Sequence, residues 1–177
     1  MNLILKIILI VVFGIILYEV ILTYTRFQKR KQIFKMAQKR SQETGKPLLV
    51  IGDPENGATN YLMGKSYDCG DVCVDLTGCP NCPNGIKEKV ENYLPTLASD
   101  SHVVFISCVL EYVSSDQIDS IISQLQRVAG NDLFVVSVEP LSITALLYPT
   151  RFITGEGGPN QIILDEYPVK DIRYLRL

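Results

Sequence analysis

The sequence predicts an α/β protein: a doubly wound, mostly parallel sheet closed by a C-terminal antiparallel hairpin, behind an N-terminal transmembrane helix. Three observations predict it. Residues 102–114, HVVFISCVLEYVS, pass from a run of apolar side chains into a polar turn that leads to an amphipathic helix. Short strand-like runs with brief connections recur from Pro47 onward. Residues 3–24, LILKIILIVVFGIILYEVILTY, are apolar apart from Lys6 and Glu19.

As a helix, that first run covers about 33 Å at about 1.5 Å per residue, enough to cross the hydrocarbon core of a bilayer. A cleavable signal is the rival reading, with Lys6 before an apolar core that contains Gly14. The core instead runs into Tyr18, Glu19 and Thr23 without a pair of small residues at a cleavage spacing, which favours an uncleaved anchor over residues 1–25. A basic block follows, with Arg26, Lys29, Arg30, Lys31, Lys35, Lys39 and Arg40 and no acid between 26 and 40. The positive side of a span stays cytosolic, so the expectation is a single-pass membrane protein with its C-terminal domain in the cytosol. Five cysteines, an odd number, fit that reducing side better than a disulfide framework.

Residues 26–46 then read as a basic juxtamembrane stem and 47–177 as the folded domain. From residue 41 onward the chain carries nine basic and eighteen acidic groups, a balance of −9. So acidic a domain is unsuited to gripping a phosphate backbone, and nucleic acid is excluded as a partner. The partners expected are the lipid bilayer and, at the stem, anionic lipid, each basic group being attracted by about 1 kcal/mol near the surface. A solvated helix that only fixes topology explains the same charges.

Ser41 to Lys46 form a polar linker, and Pro47 introduces the first strand at 48–52. Further strands are expected near 71–76, 102–108, 132–138, 161–165 and 171–176, and helices near 84–94, 115–129 and 141–148. The apolar side chains at 103–106 suit a strand covered on both faces. Ile118, Ile121, Ile122 and Leu125 make one stripe of the helix that follows, and Gly130 with Asn131 stops it. The last two strands are joined by a few residues around Tyr167 and Pro168, too short for a helical crossover, and should pair antiparallel.

Residues 94–114, LPTLASDSHVVFISCVLEYVS, resemble the middle of the class I S-adenosylmethionine-dependent methyltransferases. Leu94, Pro95, Asp100, Ser101, Val109, Leu110, Glu111 and Val113 occupy the matching places. His102 and Tyr112 depart from the family pattern. The resemblance implies S-adenosylmethionine as cofactor, bound outside the carboxyl ends of the strands at the switch in strand order. There the first strand reads LLVIGDPENGAT, in which Gly52, Asp53 and Gly57 are the candidate cofactor-binding residues. The family's glycine-rich turn has an acidic residue within the strand; this chain has Val50 there and Pro54 at the second glycine.

The resemblance further implies that Asp75, at the end of the second strand, accepts the ribose hydroxyl protons. A strand-end aspartate capping the next turn is the alternative. Glu91 is the nearest acidic candidate for the adenine, the space between Asp75 and Leu94 being enough for a helix alone. Ser107, Cys108, Glu111 and Tyr112, with Glu139 and Pro140, lie where an acceptor would approach.

Cys69, Cys73, Cys79 and Cys82 fall within fourteen residues and include a CxxC. Gathered by a turn, they would suit a tetrahedral zinc; a redox pair and plain buried or turn cysteines are the other readings. His102 begins a strand at the end opposite the ligand edge and reads as structural. With no second histidine to activate Ser107 or Cys108, nucleophilic hydrolysis ranks low. Methyl transfer asks less, because the sulfonium is already reactive and the protein mainly positions the acceptor. The function expected is that of a membrane-anchored methyltransferase-like protein at the cytosolic membrane face. The alternatives are a catalytically inactive scaffold of the same fold or a structural membrane protein, such as those of viruses, and, third, a zinc or redox module.

Overall fold

The computed structural model describes residues 3–55, 63–107, 109–110 and 117–136. Helix α1 spans Leu3–Thr44 without interruption. It ends because Gly45 takes a left-handed conformation (φ 71°) and returns its N–H to the Ser41 carbonyl at 2.8 Å, after which Pro47 cannot continue a helix. The strands are β1 (Leu48–Ile51), β2 (Val72–Asp75), β3 (Gly85–Lys87), β4 (Val103–Ser107) and β5 (Leu133–Val136). Helix α2 (Val90–Tyr93) and a 3-10 turn (Leu94–Thr96) precede β4, and α3 (Ile118–Ala129) precedes β5.

The five strands among the described residues are all parallel, in the order β3-β2-β1-β4-β5. The parallel α/β sheet is as expected, and α1 is long and apolar enough to cross a membrane. The expected strands 161–165 and 171–176, and with them the antiparallel hairpin, lie outside the described residues, as does the helix at 141–148.

Alternation along the strands sorts the core into two layers. Leu49, Ile51, Val74, Val104, Ile106, Leu133 and Val135 face α3, which buries Ile118, Ile121, Ile122, Leu125 and Val128 against them. Leu48, Val50, Cys73, Val103, Phe105, Phe134 and Val136 face the other way, against Ile33, Phe34 and Ala37 of α1. Each aliphatic side chain so buried contributes about 1.5–3 kcal/mol. The α3 stripe and its stop at Gly130 are as the sequence predicts. A Cβ on Gly130 would run into the Asp100 carboxylate, so the position takes glycine for space as well as for its φ of 57°.

Three expectations need correction. Residues 26–46 are not a stem outside the domain: Phe27, Ile33, Phe34 and Ala37 are core residues, and one helix serves as apolar span and as cover for a sheet face. The span 84–94 is not one helix. Gly85, Ile86 and Lys87 pair with Cys73, Val74 and Asp75 along the free edge of β2, which leaves only one short helical turn before Pro95 opens the 3-10 turn. The cysteines are not free thiols: Cys69 is bonded to Cys82, and Cys73 to Cys79, so four of the five form the disulfide framework the odd count spoke against, and they lend no support to a reducing side.

Candidate functional site

In a parallel sheet of this order the strand order reverses between β1 and β4, and the region beyond their carboxyl ends is where such folds bind ligands. Gly52 stands there with φ 107°. Its N–H donates to the Val74 carbonyl at 3.0 Å, tying the end of β1 to β2. A Cβ at this position would lie 2.9 Å from the Ser107 carbonyl oxygen and 3.2 Å from a Val109 methyl. Only glycine lets the loop after β1 pass so close to the end of β4.

The next residue carries the polar part of the site. The Asp53 N–H donates to Asp75 Oδ2 at 3.2 Å, and Asp53 Oδ1 accepts the Glu55 N–H at 2.9 Å. Thr77 donates its N–H and its hydroxyl to Asp75 Oδ1, both at 2.7 Å, and the hydroxyl lies 3.3 Å from Asp53 Oδ2. The ends of β1 and β2 thus share one polar network, with the buried Ser107 at the end of β4 beside it. Tyr67 closes it from the α1 side: its hydroxyl donates toward the carbonyls of Asp53 (3.2 Å) and Gly52 (3.4 Å). Its ring packs on Phe105 and Phe34, with centroids 5.0 and 6.0 Å away, and the Arg30 guanidinium lies over it at 5.9 Å.

Of the sequence candidates, Gly52, Asp53, Asp75 and Ser107 come together at this edge. Gly57 lies outside the described residues, as do Cys108, Glu111, Tyr112, Glu139 and Pro140. Glu91 sits on α2 and pairs with Lys89 at 3.9 Å. The acid beside β2 is instead Glu88, directly after β3, whose N–H donates to the Asp75 carbonyl at 3.3 Å. Hydrogen bonds from the Asn92 amide and the Lys89 N–H hold its carboxyl below the usual range. Sequence reasoning missed Glu88 because it missed β3, whose three residues include a single apolar side chain. It missed Tyr67 because nothing in the spacing marks it.

The opposite edge holds a different set of groups. Asp132, before β5, accepts from Arg40 Nε at 2.6 Å and pairs with Lys46 Nζ at 3.2 Å; Lys46 also reaches Asp100 at 2.6 Å. Burial pushes the Asp132 carboxyl up, but its hydrogen bonds and charge pairing with Arg40 and Lys46 outweigh burial and hold it below the usual range. His102 is at this edge, as expected, with Nδ1 2.8 Å from Ser101 Oγ. Burial lowers its pKa, opposed by the charge of Asp71.

The four paired cysteines fasten the β2–β3 connection. The Sγ atoms of Cys73, Cys79 and Cys82 all lie within 4.8 Å of one another, and Cys69 is bonded to the last of them. Reduced, this set has the donors of a tetrahedral thiolate zinc site; bridged, it offers no thiolate to a metal. A groove of about 420 Å³ runs between α1 and this loop, lined by Phe34, Gln38, Asp68, Cys69 and Asn81, away from the switch point. No family model, curated protein or solved structure matches the chain, and its function is read from these residues.

Proposed function

We propose that the protein is a membrane-anchored, methyltransferase-like enzyme that binds S-adenosylmethionine at the carboxyl edge of its sheet and works at the cytosolic membrane face. One observation carries this reading: the sheet order sets its switch point where Gly52, Asp53, Asp75 and Ser107 meet. The likeness of residues 94–114 to the methyltransferases supports it. In this reading the Gly52–Asp53 backbone lies against the cofactor, Asp75 accepts from the ribose hydroxyls, and Glu88 stands on the adenine side. The basic block after the apolar run favours the cytosolic side, while the two disulfides favour an oxidising one; the proposal follows the charge asymmetry.

A specific observation favours a second reading, a catalytically inactive scaffold of the same fold. Asp75 already accepts three hydrogen bonds, from Asp53 and Thr77, and a carboxylate has about four lone-pair sites. Val50, where the family has an acid, is wholly buried. Calorimetric titration of the full chain in detergent with S-adenosylmethionine and its demethylated product separates the two. Micromolar binding that drops at least tenfold in Asp75→Ala is the expected result. A folded protein that gives no heat with either ligand would leave the scaffold.

A further inference from the structure

We propose that the methyl acceptor is the polar head of a bilayer lipid, which meets the site because the carboxyl edge of the sheet faces the membrane. The proposal rests on the cofactor reading above and adds the substrate class.

The geometry begins with one tight turn. Gly45 to Pro47 reverse the chain, so that β1 runs back along α1, and every other strand is parallel to β1. All strand ends therefore point along α1 toward the apolar run. Two contacts fix the direction. Arg40 pairs with Asp132 at the amino edge, whereas Arg30 lies over Tyr67, which reaches Gly52 and Asp53 at the carboxyl edge. Those ten helical residues rise about 15 Å, the length of the four- to five-residue strands beside them at about 3.3 Å per residue.

The same ruler places the site relative to a bilayer. From Tyr24, where the apolar run ends, to Arg30 is about 9 Å of helix; to Arg40 it is about 24 Å. The polar layer of each leaflet is about 5–8 Å deep, half the difference between a full bilayer and its hydrocarbon core. The carboxyl edge thus stands at the level of the lipid heads or just above them, while the amino edge stands well clear.

A second observation points the same way. Outside the apolar run, the exposed large hydrophobic side chains among the described residues are Met36 and Leu76. Leu76 is 63% exposed and directly follows Asp75 at the carboxyl edge. An apolar side chain held out at that level suits an interface. Lys29, Arg30 and Lys31 stand at the same height along α1 and attract anionic heads.

A lipid amine, hydroxyl or carboxylate oxygen or nitrogen attacks the sulfonium methyl in line with the departing sulfur. The bond from that atom to carbon forms as the carbon–sulfur bond breaks. The electron pair stays on sulfur, giving the neutral thioether, and any proton on the acceptor passes to water. No further reactant is needed.

The chain has no Trp, so Leu76→Trp and Ala98→Trp each place a single reporter, one at either edge. The full-length variants are reconstituted in vesicles of total polar lipid extract doped with brominated lipid. Strong quenching for Leu76→Trp and little for Ala98→Trp is expected; equal quenching, or the reverse, overturns the proposal. Isotope from methyl-labelled S-adenosylmethionine should then appear in the organic extract of the unsubstituted protein. Leu76→Glu should cut that labelling at least fivefold while cofactor affinity stays within twofold. Cofactor binding without labelled lipid, or with label only on protein, overturns the lipid acceptor and leaves the cofactor reading standing. Absence of cofactor binding to the reconstituted protein overturns both.

Discussion

The two edges of the sheet are built from the same kinds of residue and use them differently. At the amino edge, charge meets charge: Asp132, 4% exposed in its side chain, holds Arg40 and Lys46, and Asp100 adds a second carboxylate to Lys46. At the carboxyl edge, Asp53 and Asp75 spend their oxygens on backbone N–H groups and one hydroxyl. The first arrangement neutralises buried charge and locks α1 to the sheet. The second shapes the loop that leaves β1 and ties it to the end of β2.

The largest effect should come from the bridges, because they serve both edges. Cys69–Cys82 fastens the chain entering β2 to the chain entering β3, and Cys73–Cys79 fastens β2 to the loop leaving its carboxyl end. A closed loop of about fifteen residues contributes about 3 kcal/mol by loop entropy. Reduction should lower the urea-unfolding free energy by about that amount; an unchanged midpoint would show that the bridges do not constrain the chain.

Next is Asp132→Ala, which leaves two cations facing a gap. It should cost about 2 kcal/mol, the scale of hydrogen bonds to charged groups. The native Asp132 carboxyl is held below its unfolded value, so its contribution is complete above about pH 4 and is lost as pH falls through the folded value. Thermal melts from pH 7 to pH 2 should therefore converge for the two proteins at the acid end. Parallel curves would sink the assignment of that pair to stability.

The smallest effect on stability, and the sharpest contrast between edges, is expected from Gly52→Ala. Its φ and the approach of the Ser107 carbonyl strain any side chain by about 1–2 kcal/mol. Cofactor affinity should fall at least tenfold, whereas Asp132→Ala should leave affinity unchanged in protein that is still folded. Equal losses of affinity in both variants would erase the functional distinction between the edges.

Much of this was legible in the chain. Four strands announce themselves as runs of β-branched and apolar residues, and α3 as a stripe with a glycine stop. The third strand was not, since Gly-Ile-Lys is too short to show a period and forms only because β2 offers it an edge. The core face of α1 is present at helical spacing in Phe27, Ile33, Phe34 and Ala37, but the basic residues around them read as a juxtamembrane stem. Of the site, Gly52 and Asp75 could be picked from their places at strand ends. Cysteine pairing could not, because four cysteines allow three connectivities and only the fold chooses among them.

Helix α1 continues unbroken from Leu3 to Thr44, so the part suited to a bilayer and the part that covers the sheet turn as one lever. A 22-residue apolar run slightly longer than the hydrocarbon is thick accommodates the mismatch by tilting. Under the proposed function, each degree of that tilt would be passed to the carboxyl edge of the sheet, pressing one side toward the lipids and lifting the other. Membrane thickness would then act as a dial on substrate access, with no ligand and no change in the domain itself.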